Sequence, residues 1–220
     1  MFRIKICGIT NVDDALAVTR AGADAIGLNF YARSPRCITP DAARKIVQTL
    51  PAGVSKVGLF VDAPASQICR LFDDLHLDLI QLHGDQPPEF LSQLGDRPAM
   101  RAFRVGPERL RPVTAYLARC RELVALPTLV MIDSLVVGEY GGTGKVADWS
   151  VAQEYVAAIG LPPLVLAGGL TPENVAAAIR TVRPAAVDVA SGVESQPGRK
   201  DPAALARFIK VARVAFESGY

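Results

Sequence analysis

The chain has 220 residues, half of them hydrophobic and 21% charged, with 24 Lys plus Arg against 22 Asp plus Glu for a net charge of +2. That length accommodates one large core, and the near balance of charge argues against a nucleic-acid or membrane surface, which needs a basic stripe. A single small anionic ligand remains compatible, because it needs only local positive charge.

The first β-rich apolar run is Arg3 to Cys7, followed by a helical pattern from Val12 to Ala21 that is entered through Thr10-Asn11 and closed by Gly22. The next run is Asp24 to Phe30, after which Thr39-Pro40 supplies an N-cap and a proline at the first helical position. Runs at Val54 to Val61 and Leu77 to Leu82 flank a helical pattern at Ser66 to Leu75, and another lies at Pro88 to Leu94. Then come a run at Ala99 to Val105, a helix at Glu108 to Arg121, a run at Thr128 to Ile132 and a helix at Val151 to Ile159. Pro162-Pro163 makes a tight connection to the run Leu164 to Ala167. Thr171-Pro172 opens a helix predicted to reach Val182, the run Ala186 to Ala190 follows, and Asp201-Pro202 opens a last helix over Ala203 to Phe216.

Strict alternation of strands and helices demands a parallel sheet covered by helices. About eight such units in one chain, with no linker or low-complexity break, favour an α/β fold consisting of a single (βα)8 TIM barrel over residues 1–220. An open, doubly wound sheet is the competing arrangement. No run approaches the roughly 18 apolar residues of a membrane span, and the N-terminal stretch lacks the form of a signal peptide. The four cysteines, Cys7, Cys37, Cys69 and Cys120, have no zinc-like spacing. The expectation is a cytoplasmic protein with free thiols, either a monomer or a homodimer.

In a barrel, chemistry gathers where strands end and βα loops begin. Those ends are Cys7-Gly8, Asn29-Phe30, Phe60-Val61, Gln81 to Gly84, Arg104, Asp133-Ser134, Gly168-Gly169 and Ser191-Gly192, a polar and Gly-rich set. The last two follow the seventh and eighth runs, where this fold commonly binds phosphate through main-chain N–H groups; two ordinary glycine turns are the plainer reading. Gly141-Gly142-Thr143-Gly144-Lys145 fails the Walker A pattern, since Glu139 stands where a glycine is needed and Val146 where a hydroxyl is needed. A Gly-rich lid over an anionic substrate fits it better, with a plain surface loop as the alternative.

Strand alternation puts Ile4 and Ile6 toward the helices and Cys7 toward the barrel mouth, where it is either a packing residue or a reactive thiol. Lys5, one layer deeper, is expected to pair with an interior acid, Asp188 or Asp24. Asp133 ends an apolar strand and is either a helix-facing cap or a general acid or base; His83 is structural or lines the site.

The segments Lys5 to Thr10, Gly27 to Phe30 with Ser34 to Arg36, Gln81 to Gly84, Ile132-Asp133, Gly141 to Lys145 with Asp148-Trp149, Ala167 to Leu170 and Val187 to Glu194, taken in order, resemble the successive signatures of the phosphoribosylanthranilate isomerases. Ala147 departs from the aromatic residue the family often has there. The resemblance implies an Amadori rearrangement of N-(5-phosphoribosyl)anthranilate in tryptophan biosynthesis, with no metal or organic cofactor because the substrate's own nitrogen is the electron sink. It implies Cys7 as general base, Asp133 as general acid and Arg36 as the group that holds the anthranilate carboxylate. Gly142, Gly144, Gly169, Ser191 and Gly192 would hold the phosphate, and His83 and Asp188 belong to the substrate-binding set. A pentose-phosphate epimerase, a bifunctional relative with Asp at the first strand and a non-catalytic phosphosugar-binding barrel are the competing functions. The first would want several metal-binding His and Asp residues, and only His76 and His83 are present.

Overall fold

The computed structural model describes residues 1–106, 108–134 and 149–218. Eight parallel strands, β1 (Ile4–Ile6), β2 (Ala25–Asn29), β3 (Ser55–Phe60), β4 (Leu79–Leu82), β5 (Ala99–Val105), β6 (Leu129–Ser134), β7 (Leu164–Leu166) and β8 (Ala186–Val189), pair in chain order and close on themselves. Closure is made by β8 on β1, with Ile4 opposite Val187, Lys5 opposite Asp188 and Ile6 opposite Val189. This is the closed barrel and not the open sheet.

Outside it lie α1 (Val12–Arg20), α2 (Pro40–Thr49), α3 (Ala65–Asp74), α4 (Arg111–Glu122), α5 (Trp149–Ala157), α6 (Val175–Val182) and α7 (Pro202–Glu217). The caps expected at three helix starts are formed. Asn11 accepts from the Asp14 N–H at 2.8 Å, Thr39 from Ala42 at 3.2 Å and Asp201 from Ala203 and Ala204 at 2.8 and 2.9 Å. Gly22, at φ +92°, closes α1 in the left-handed conformation.

Three predicted helices differ, and α4, expected from Glu108, begins at Arg111. Pro88–Leu94 is a 3-10 segment, since seven residues entered through Pro87-Pro88 do not establish an α ladder. The helix expected from Pro172 begins only at Val175. The Asn174 side chain accepts from the Thr171 N–H at 2.8 Å and donates to the Gly169 carbonyl at 2.9 Å, which ties the preceding residues into a turn.

An unpredicted antiparallel hairpin, β9 (Glu194–Gln196) and β10 (Arg199–Lys200), lies between β8 and α7. Two apolar layers hold the barrel. Ile4, Ile6, Leu28, Ile80, Ile132 and Val187 face outward against the helices, while Ala25, Val57, Leu79, Met100, Leu129 and Val165 fill the interior. Burial on both faces explains why the strands read as nearly continuous apolar runs. Above the interior plug, the inward positions turn polar.

Candidate active site

The polar inward positions line a cavity at the C-terminal end of the barrel, into which Cys7, Arg36, His83, Asp133, Gly169, Asp188, Ser191 and Gly192 all open. Every described member of the expected site set is therefore brought together. Gly142 and Gly144, with the expected lid, lie outside the described residues.

Cys7 follows the inward parity of Lys5. The fully buried Lys5 ammonium pairs with Asp188 at 2.8 Å, across the β1–β8 seam, so Asp188 and not Asp24 is its partner. Asp24 instead accepts from the Arg3 and Ile4 N–H groups at 3.0 and 2.9 Å and pairs with Arg213 at 3.0 Å. Gly27 on β2 makes the space for this cluster. A Cβ there would lie 2.7 Å from the Cys7 sulfur and 3.1 Å from Lys5 Nζ. Burial pushes the Cys7 thiol up, and Asp188 adds to that, while Lys5 and Lys200 pull it down. Burial disfavours the charge on Lys5, but Asp188 and Cys7 outweigh it and hold the ammonium above its ordinary range.

Asp133 is buried and shares inward parity with Leu129 and Met131 of the interior layer, so it is not a helix-facing cap. Its carboxylate lies 3.3 Å from His83 Nε2, without the alignment of a full hydrogen bond. Gln81 Nε2 stands 3.3 Å from His83 Nδ1. Donation from that amide makes Nδ1 the acceptor. His83 thus lines the site and is also positioned. Arg104, in register with Asp133 on the neighbouring strand, is ion-paired to Asp85.

The loop after β2 carries Arg36. Asn29 at the strand end donates to Ser34 Oγ at 3.0 Å, accepts from the Tyr31 N–H at 2.8 Å, and Ser34 Oγ accepts from the Arg36 N–H at 3.1 Å. The Arg36 guanidinium meets Glu194 in a two-point contact, with Nη2 to Oε2 at 2.7 Å and Nε to Oε1 at 2.9 Å. That contact raises the Arg36 pKa above its ordinary value against the effect of burial. Glu194 Oε1 also accepts from Lys200 Nζ at 2.8 Å. Burial opposes the Glu194 carboxylate, but these two cations hold its pKa below the ordinary range.

After β7, Gly168 and Gly169 take φ values of +86° and +64°, a conformation for which glycine is suited. After β8, Ser191–Val193 form a 3-10 turn. A Cβ on Gly192 would lie 1.9 Å from the Leu170 carbonyl oxygen, so the two loops are in main-chain contact. Among the described residues, no cluster of three or more His, Cys, Asp or Glu side chains is placed to hold a metal ion. Sequence reasoning missed Glu194 and Lys200 as site residues, since charges beyond a loop read as solvated. Their clue was the spacing, a carboxylate directly after the Ser191-Gly192 turn and a lysine directly before the Asp201 cap.

The sequence model of the family described as "N-(5'phosphoribosyl)anthranilate (PRA) isomerase" matches residues 4–211. The chain belongs to that family. The N-(5'-phosphoribosyl)anthranilate isomerase of Geobacter sulfurreducens is 44% identical over 214 residues, covering 97% of this chain and 99% of that protein. The crystal structure of phosphoribosyl anthranilate isomerase from Thermotoga maritima superposes with a TM-score of 0.86 at 41% identity, over 97% of this chain and 100% of that one. A phosphoribosyl anthranilate isomerase in complex with reduced 1-(o-carboxyphenylamino)-1-deoxyribulose 5-phosphate superposes with a TM-score of 0.82 at 38% identity, over 97% and 100% of the two chains. The protein is an enzyme, an isomerase of the tryptophan pathway that carries out the Amadori rearrangement of N-(5'-phosphoribosyl)anthranilate. No helix among the described residues is long and apolar enough to cross a membrane.

Proposed function

We propose that this rearrangement is performed by Cys7 as general base and Asp133 as general acid, on a small phosphorylated substrate held between Arg36 and the two loops after β7 and β8. The observation that carries the reading is the placement of Cys7, just after β1, and Asp133, on β6, as buried groups of one cavity. Asp133 delivers its proton to the furanose ring oxygen as the C1–O bond breaks, and the substrate nitrogen lone pair forms the C1=N bond of an iminium. The iminium acidifies the C2 hydrogen, which the Cys7 thiolate removes; the C2–H electrons form the enolamine, and protonation at C1 with loss of the enol proton gives the ketone.

Burial raises the Cys7 thiol above its ordinary range, and the cation beneath it favours the thiolate that acts as base. Lys5 supplies that charge, and Asp188 fixes Lys5 in place. Gly169, Ser191 and Gly192 offer main-chain N–H groups to the phosphate. Arg36 takes the anthranilate carboxylate, since a guanidinium matches a carboxylate in two-point fashion.

The test is a pair of variants assayed by loss of phosphoribosylanthranilate fluorescence. Cys7→Ala and Asp133→Asn should each lower kcat by roughly 100- to 10,000-fold, the usual effect of losing a general base or acid. Affinity for the reduced open-chain product analogue should change little in both, because that ligand needs neither ring opening nor proton abstraction. Near-normal turnover in Cys7→Ala would make the thiol a packing residue, and near-normal turnover in Asp133→Asn would move the acid role to His83.

A further inference from the structure

Arg36 is held from behind. Glu194 engages its Nε and Nη2, which leaves Nη1 outside that contact, and Arg36 lines the cavity. The Arg36 stem rests directly on Gly8, where a Cβ would lie 2.5 Å from Arg36 Cδ. Glu194 does not act alone. Lys200 Nζ bonds Glu194 Oε1 at 2.8 Å, the Cys7 carbonyl at 2.7 Å and the Ala190 carbonyl at 3.2 Å, so one ammonium joins the end of β1 to the start of the Ser191 turn. The side chains of Glu194 and Lys200 are 3% and 1% exposed, and the hairpin that bears them is pinned by Thr10, whose hydroxyl donates to the Gly198 carbonyl at 2.6 Å.

We propose that Glu194 is a positioning residue that sets selectivity for a carboxylated aromatic substrate, by aiming the remaining edge of Arg36 into the cavity and by reducing the Arg36–Lys200 pair to one net positive charge. The inference rests on the reading of Arg36 as the carboxylate-binding group. The charge count supplies the physical reason. Within the Arg36–Glu194–Lys200 cluster, two cations and one carboxylate leave +1, which a single aryl carboxylate neutralises. A neutral aryl group in the same place would leave that charge desolvated and uncompensated, which is costly. Without Glu194, Arg36 and Lys200 would repel each other with no carboxylate between them, and Arg36 would lose the contact that fixes its rotamer. Glutamine cannot substitute. Each carboxylate oxygen accepts from a cation, and an amide NH2 in place of either one would confront a donor with a donor.

The experiment measures, by calorimetry, the ratio of affinities for the reduced product analogue and its counterpart lacking the ring carboxylate. Wild type, Glu194→Gln, Glu194→Asp and Arg36→Met are compared, with inorganic phosphate as a third ligand. In wild type the carboxylate should be worth about 10- to 100-fold, the range for hydrogen bonds to charged groups. Glu194→Gln and Arg36→Met should each lower that ratio by about tenfold, with inorganic phosphate affinity unchanged within about twofold. Glu194→Asp keeps the charge but shortens the reach, and should lose part of the ratio; it serves as the test if the glutamine variant does not fold. A ratio lost in Arg36→Met but retained in both Glu194 variants would overturn the proposal and leave the Arg36 reading standing. Retention in Arg36→Met would overturn the Arg36 reading itself, and the proposal with it. An equal loss of all three ligands in the Glu194 variants would make Glu194 a structural ion-pair partner only.

Discussion

Gly192→Ala tests how closely the two phosphate loops must approach. The added Cβ would lie 1.9 Å from the Leu170 carbonyl oxygen, 3.0 Å from the Leu170 carbonyl carbon and 3.3 Å from the Thr171 Cα, all main-chain atoms that no rotamer change can move aside. Relief therefore requires the loops after β7 and β8 to part by about 1 Å, and a displacement of that size in positioning groups costs on the order of 100-fold in rate. Overpacking of this kind destabilises by about 1–3 kcal/mol, which for a chain this long lowers Tm by roughly 2–4 °C per kcal/mol. The obstacle is thus the carbonyl of the neighbouring loop, in addition to any block of N–H contacts with phosphate. Gly53→Ala provides the control. It sits at φ +92° in the α2–β3 connection with nothing within 4 Å of an added Cβ, so it strains the backbone without touching the mouth. We expect Gly192→Ala to lose about 100-fold in kcat/KM and most of its inhibition by inorganic phosphate, while Gly53→Ala loses stability only. Wild-type kinetics and phosphate inhibition in Gly192→Ala would refute the argument that this loop contact shapes the phosphate site.

Two further outcomes follow from buried charges. Lys5→Met leaves Asp188 buried without its partner and should cost about 3–5 kcal/mol, much of it recovered in Lys5→Met/Asp188→Asn. In the folded single variant the Cys7 thiolate loses its nearest cation, so alkylation by iodoacetamide should slow by about tenfold or more; an unchanged rate would make Lys5 a structural partner of Asp188 alone. Glu194 has a folded-state pKa below its unfolded value, so its contribution to stability is present above the unfolded value of about 4.3 and fades as pH falls through the lower folded value. Urea titrations should show wild type more stable than Glu194→Gln at pH 7, with the gap closing below about pH 4. A gap of constant size across that window would contradict the ion-pair account of Glu194.

Local rules carried much of this protein into its sequence. Strand and helix alternation announced the barrel because each apolar run must be buried on both faces. Side chains at Asn11, Thr39 and Asp201 marked helix starts, since a cap acts on N–H groups two or three residues away. The inward parity of Lys5 and Cys7 followed from the two-residue period of a strand. Tertiary contacts decided the rest. Nothing local chooses Asp188 over Asp24 for Lys5; the closing register of β8 on β1 does. Asn174 cancels the helix start at Pro172 because its side chain reaches back to Gly169 and Thr171. The Arg36–Glu194–Lys200 cluster joins residues 158 positions apart, and its charges look like solvated surface until the hairpin folds over the loops. The glycines at 8, 27 and 192 are required by what lies opposite them, an arginine stem, a thiol and a carbonyl, and only the folded chain brings those atoms near.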